Sequence, residues 1–152
     1  MRTEVVVFGR EPAPGRVKSR LATTLGPERA AAVYAALLDH TLGEAVRSGL
    51  AVVLALAEEP SANWLRAVRV PWALQSGGDL GWRMAAAFGG RFAAGAERVV
   101  LVGSDCPGLA AAHLRQAAAA VAAAPAALGP AAGGGYWLVA QRRPGLELFT
   151  DT

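Results

Sequence analysis

The sequence predicts an α/β fold, a mostly parallel sheet covered by helices, and three observations carry that prediction. Short β-branched runs recur at residues 4–8, 50–57 and 98–102; apolar residues between them repeat at helical spacing; and the runs end in loops rich in Gly, Pro and Asp. Strand and helix patterns alternate at least four times, the mark of right-handed crossover units.

Size and composition agree. A chain of 152 residues is read as one domain, and at that size about 70% of the unfolded surface is buried. With 53% hydrophobic and 18% charged residues and a mean hydropathy of +0.31, the chain is expected to be globular, with Ala and Gly supplying much of the apolar fraction. The net charge is +3, and the 15 basic residues are fourteen Arg and Lys18, scattered among twelve acids. That scatter lacks the basic stripe with interleaved aromatics of a nucleic-acid platform, so no nucleic-acid partner is expected and small anionic ligands are. Cys106 is the lone cysteine, which leaves no internal disulfide and no usual zinc set. The apolar run at 5–8, flanked by Glu4 and Arg10, is too short for a signal peptide or a membrane span. A cytoplasmic protein with no membrane partner is the expectation, and no pattern points to a particular oligomer.

The elements follow in order. Residues 4–8 form a first buried strand that meets Gly9. Residues 9–20 carry Pro12, Pro14 and Gly15, then Arg16, Lys18, Ser19 and Arg20 as a helix begins, and four of the fifteen basic residues fall between Arg10 and Arg20. Two readings fit this stretch: a phosphate cradle built from a glycine loop and cationic donors, or a solvated basic helix start. It is not a Walker A loop, because Arg16 and Val17 follow Gly15 where Lys and Ser or Thr are required. Gly26 and Pro27 separate two helices, the second spanning 28–48 with Ala30, Val33, Tyr34, Leu37, Leu38, Leu42 and Val46 at helical spacing. His40 within it is assigned no role.

Residues 50–57 form the second strand, closed by Glu58, Glu59 and Pro60; adjacent glutamates point to opposite faces, so a solvated loop is preferred to a catalytic pair. A short helix passes through Trp64, Leu65 and Val68, and 70–74 is a short third strand. Trp64 and Trp72 are read as core or edge packing. In the loop 75–83, Asp79 either caps the next helix or lies with Arg83 over a ligand. A helix at 84–95 contains Gly89 and Gly90. The strand 98–102 then runs into Gly103, Ser104, Asp105, Cys106, Pro107 and Gly108, which places Asp105 at a strand's carboxyl end, where open α/β sheets bind ligands. A metal ion or a sugar suits such a carboxylate. A helix at 109–124 and strands at 126–130 and 136–140 complete the chain, the last pair joined too tightly for a crossover and therefore forming a mixed edge. Gly133, Gly134 and Gly135 permit a close ligand approach or make a bare turn. Ligands are expected where loops 9–20, 76–83 and 103–108 converge.

The pattern Phe8, Pro12, Pro14, Gly15, Arg16, Val17, Lys18, Ser19, Arg20, Leu21, then Gly78, Asp79, Leu80, Gly81, Arg83, Met84, then 103–109, then Leu128, Gly129, Pro130 and Gly134, Gly135, Tyr136 resembles a known family. These are small bacterial glycosyltransferases of the GT-A type, associated with radical-SAM and selenium-domain neighbourhoods and with arsenosugar biosynthesis. More distantly the chain is similar to molybdenum-cofactor and phospholactate guanylyltransferases.

The resemblance implies a Rossmann-like three-layer sandwich of the nucleotide-diphospho-sugar transferase class. By it, Gly9, Arg10, Pro14, Gly15, Arg16, Lys18, Arg20 and Arg83 hold the nucleotide and its phosphates, Asp105 holds Mg²⁺ or Mn²⁺, and Gly134, Gly135 and Tyr136 contact substrate. Asp105, with Asp79 as its nearest substitute, is the expected catalytic carboxylate. The family's Asp-Gly-Gly-Tyr tract has Gly133 in the Asp position here, and relatives continue beyond Thr152 through a further C-terminal segment. The leading expectation is a metal-dependent transfer of sugar from a nucleotide sugar to an acceptor. A nucleotidyltransferase joining a nucleoside triphosphate to a phosphorylated acceptor uses the same cradle, and a non-catalytic nucleotide-binding protein is the alternative that Gly133 favours.

Overall fold

In the computed structural model, which describes residues 2–131 and 136–143, the alternation of β-branched and helical segments resolves into six strands and five helices among those residues. The strands are β1 (Thr3–Gly9), β2 (Ala51–Leu56), β3 (Trp72–Leu74), β4 (Arg98–Gly103), β5 (Ala126–Pro130) and β6 (Tyr136–Arg142). The helices are α1 (Ser19–Leu25), α2 (Pro27–Arg47), α3 (Ala62–Leu65), α4 (Leu80–Ala93) and α5 (Ala111–Ala123). They make one mixed α/β sheet in the order β3-β2-β1-β4-β6-β5. The first four strands of that order are parallel, and β6 and β5 add antiparallel pairs at one edge.

Register explains the two layers of core. Successive side chains of a strand alternate in face, so Val5 and Val7 share a face with Val52, Leu54, Val100, Val102 and Leu138. Against that face pack Ala31, Tyr34, Leu38 and Ala45 of α2, and Leu114, Ala117, Ala118 and Val121 of α5. Val6, Ala55, Val99, Leu101 and Val139 face the other way, covered by Phe88, Met84, Ala87 and Phe92 of α4. The chain leaves β1 toward β2 and β3, then returns to β4 on β1's far side. The strand order therefore reverses beside β1, and a crevice opens there at the strands' carboxyl ends.

Several boundaries differ from the sequence expectation. Helix α4 starts at Leu80 rather than 84, because the Asp79 carboxylate accepts the Trp82 amide at 2.8 Å and organises the first turn earlier. Gly89 and Gly90 lie inside it. Helix α5 starts at Ala111 rather than 109, and Leu109 instead belongs to the buried core shared with α2 and α5. Helix α3 stops at Leu65, and the strand expected at 70–74 is reduced to three exposed edge residues. Gly26, at φ 88°, joins α1 to α2 with Pro27 at the first helical position, as read from the sequence.

Ala110 offers no side-chain acceptor at the start of α5, so α2 supplies one. The Glu44 carboxylate accepts the Ala111 amide at 3.1 Å, and His40 Nε2 bonds the Leu109 carbonyl at 2.9 Å. The Ala111 hydrogen bond, outweighing partial desolvation and helped by Arg47, holds the Glu44 carboxyl below its ordinary value. A depressed carboxylate stabilises the folded state above its unfolded pKa, and that contribution is lost as pH falls through the folded value. Glu44→Gln is expected to flatten the acid limb of the unfolding curve, measured by circular dichroism at graded pH below 5. Among the described residues no helix is long and apolar enough to cross a membrane.

Candidate functional site

The crevice beside β1 is a cleft of about 350 Å³. Phe8, Gly9 and Arg10 line it from the end of β1, Arg16 to Ser19 from the loop and start of α1, and Tyr34 from α2. Ala57 and Gln75 follow β2 and β3, Leu80 and Arg83 begin α4, and Ser104 and Asp105 follow β4. Among the described residues four cations, Arg10, Arg16, Lys18 and Arg83, thus meet one carboxylate where parallel strands end.

Three of these cations pair with carboxylates. The Lys18 ammonium forms an ion pair with Asp105 Oδ1. Glu58, read from sequence as a solvated loop residue, bridges two arginines, with 3.5 Å to Arg10 and 3.2 Å to Arg16. All three partners in that bridge are well exposed, so it contributes at most about 1 kcal/mol and an arriving anion can displace it.

Tyr34 ties the site's walls together. Its hydroxyl accepts the Arg10 amide at 3.1 Å and shares a 2.7 Å hydrogen bond with the buried Ser104 hydroxyl. One phenol therefore couples the loop after β1 to the loop after β4. Gly9 makes room for it: a Cβ at that position would stand 3.2 Å from the Tyr34 hydroxyl and 3.1 Å from Leu38 Cδ1. Tyr34→Phe is expected to cost about 1–2 kcal/mol, because Ser104 and the Arg10 amide lose a buried partner. Urea unfolding checks this, and a loss below about 0.5 kcal/mol would count against the coupling.

On the opposite wall, Arg83 Nη1 donates to Gln75 Oε1 at 3.1 Å and Gln75 Nε2 donates to the Ala55 carbonyl at 2.9 Å. The guanidinium is anchored to β2 through that amide. Its Nε is buried without a hydrogen-bond partner among the described residues.

Of the residues singled out in the sequence, Gly9, Arg10, Arg16, Lys18, Arg83 and Asp105 line this cleft, whereas Pro14, Gly15, Arg20, Asp79 and Tyr136 do not. Asp79 is the N-cap of α4 and Tyr136 opens β6, largely exposed. Gly133, Gly134 and Gly135 lie outside the described residues. The sequence shows Tyr34 only as a periodic core position, and nothing in its local sequence marks the hydroxyl's contacts. Gln75 and Glu58 escape for the same reason.

Among the described residues no group of three or more His, Cys, Asp and Glu forms a metal cage. Asp105 alone still fits a cation, since the Lys18 ammonium already stands on it. Mg²⁺ binds in this manner, through one or two carboxylates with phosphate and water oxygens completing the shell.

Fold and cleft together place the protein among Rossmann-like α/β structures of the nucleotide-diphospho-sugar transferase, GT-A-like type. The chain belongs to DUF2064, a family of uncharacterized proteins conserved in bacteria, whose sequence profile matches residues 38–152. The crystal structure of a "putative nucleotide-diphospho-sugar transferase" from Desulfovibrio desulfuricans G20 superposes with a TM-score of 0.91 at 30% identity, covering 100% of this chain and 69% of that one. CMP:2-keto-3-deoxy-manno-octonic acid synthetase complexed with CTP shares the fold, with a TM-score of 0.60, 11% identity and coverage of 95% and 75%. So does Rv0371c of Mycobacterium tuberculosis H37Rv in complex with manganese, with a TM-score of 0.57, 21% identity and coverage of 95% and 72%. No curated protein sequence matches the chain.

Proposed function

We infer that this chain is a nucleotide-dependent transferase that binds the diphosphate of a nucleotide-activated sugar in the cleft beside β1 and passes the sugar to an acceptor. The observation that carries this reading is the meeting of Arg10, Arg16 and Lys18 with Asp105 in one cleft at the strand-order reversal. The similarity to the Desulfovibrio protein supports it.

In this reading Arg10 and Arg16 exchange the Glu58 carboxylate for phosphate oxygens, and their planar donors suit bidentate contacts. Lys18 adds a compact positive charge against the same diphosphate. Arg83, held in orientation by Gln75, adds its guanidinium charge on the α4 side of the cleft. Tyr34 keeps the loops carrying Arg10 and Asp105 at a fixed separation, so the ligand meets a preorganised set of charges. Asp105 would hold Mg²⁺ or Mn²⁺, which when bound supplies charge neutralisation for the departing diphosphate. The manganese found with the Mycobacterium protein of the same fold supports the choice of ion.

A nucleotidyltransferase reading draws on the CTP complex of the synthetase with this fold. It differs in donor: a phosphate oxygen of the acceptor attacks the α-phosphorus of a nucleoside triphosphate, takes the nucleotidyl group and releases pyrophosphate. Thermal-shift measurements with nucleoside diphosphates, nucleotide sugars and triphosphates, each with and without Mn²⁺, separate the two. A ligand at a hundred times its dissociation constant is expected to raise the melting temperature by roughly 5–10 °C for a chain of this size. Preference for a nucleotide sugar supports the first reading, preference for a triphosphate the second, and no shift with any nucleotide overturns both.

A further inference from the structure

Lys18 is a poor residue for the place it occupies. It is the N-cap of α1, where Ser, Thr, Asp or Asn accepts a first-turn amide, and its side chain makes no such bond. It is also the one non-glycine residue with positive φ among the described residues, at φ 51° and ψ 49°, a conformation in which Cβ crowds the backbone. Neither capping nor backbone preference accounts for a lysine here. What its side chain does is pair with Asp105, 87 residues away in the sequence. An unfavourable backbone maintained at a ligand cleft points to a task for that side chain.

Asp105 is 67% exposed, whereas the Lys18 side chain is 25% exposed. The carboxylate is therefore open to an incoming cation while the ammonium is the partly sheltered partner. Among the described residues no group of three or more metal-binding side chains forms, and Asp105 is the carboxylate that lines the cleft.

We propose that Lys18 is the resting counter-ion of Asp105, so that a divalent cation gains the carboxylate only together with a phosphate ligand that takes Lys18 over. The inference rests on the transferase reading for the identity of that ligand, but not for the pairing. A bare divalent ion must expel an ammonium tethered in place, which leaves Lys18 unpaired beside a double positive charge. A cation arriving on a phosphate offers both groups new partners at once, cation to carboxylate and ammonium to phosphate. The two loadings are thereby coupled, and the coupling is reciprocal. Glu58 mirrors this arrangement, holding Arg10 and Arg16 until an anion replaces it.

The test measures Mn²⁺ alone, without nucleotide, by electron paramagnetic resonance of the free ion over the full chain. Lys18→Met is expected to bind Mn²⁺ about tenfold more tightly than the wild type, the order set by removing one competing charge at a partly screened site. Lys18→Gly, which suits the positive φ, is expected to show the same gain and guards against a folding defect in the methionine variant. Arg16→Met removes a cleft cation that does not touch Asp105 and is expected to change affinity less than threefold. Adding Asp105→Asn to Lys18→Met is expected to abolish the gain. The proposal is overturned if neither Lys18 variant binds Mn²⁺ more tightly than Arg16→Met, if neither binds it measurably, or if the gain survives loss of the carboxylate. Failure of the transferase reading shows instead as the absence of any nucleotide shift, and either failure can occur without the other.

Discussion

Asp105→Ala is expected to eliminate the Mn²⁺-dependent part of nucleotide stabilisation while leaving metal-free binding of the same diphosphate unchanged or tighter. The opposite signs follow from the ion pair. Without the carboxylate, Lys18 is free for phosphate from the start and the anion no longer meets a negative neighbour, so the metal-free ligand gains. The metal-loaded ligand loses the one carboxylate that lines the cleft among the described residues, a loss of at least about tenfold in affinity and about a hundredfold in turnover. Fold stability is expected to change little, because an exposed ion pair contributes at most about 1 kcal/mol. Titrations with a nucleoside diphosphate, with and without Mn²⁺, on wild type and variant check the crossover. Persistence of the metal-dependent component would remove Asp105 from the cation site.

The sheet and its mixed edge were legible in the sequence because β-branched runs such as Val5 to Val7 and Val99 to Val102 bury both faces and admit few other conformations. Helix ends were less legible. The cap at Asp79 was visible, yet Gly81 after it obscured where the periodic pattern begins, and Leu109 reads as helical although it is buried two residues before α5. In the site, local clustering exposed Arg10, Arg16 and Lys18, and the strand-end position exposed Asp105. Residues whose role depends on a partner far along the chain left no local trace. Tyr34 packs its ring as any core aromatic does while its hydroxyl reaches Ser104, 70 residues on. Glu58 looks like an ordinary loop acid until folding brings Arg10 and Arg16 to it.

Glu4 is the clearest case of such hidden pairing, and it carries the largest expected effect on stability. Its side chain is 1% exposed at the start of β1, with Oε1 accepting Arg91 Nε at 2.6 Å and Oε2 lying 2.5 Å from Arg2 Nη2. Arg91, in the last turn of α4, is the more sheltered of the two partners, so it anchors that helix end to the central strand. Arg91→Met is expected to cost about 3 kcal/mol, since it leaves a buried carboxylate with one flexible, exposed partner. Glu4→Leu combined with Arg91→Met is expected to recover much of that loss, because a well-packed apolar pair needs no compensation for desolvation. Wild type, Glu4→Leu, Arg91→Met and the double variant form a double-mutant cycle in urea unfolding, and an Arg91→Met cost below about 1 kcal/mol would show that Arg2 alone suffices. Glu4 lies roughly 16 Å along β1 from Gly9 at the cleft. At that separation the effects add, so Arg91→Met is expected to retain the wild-type nucleotide shift in full. If that shift also fell, the anchor of α4 would be coupled to the position of Arg83 at the helix's other end.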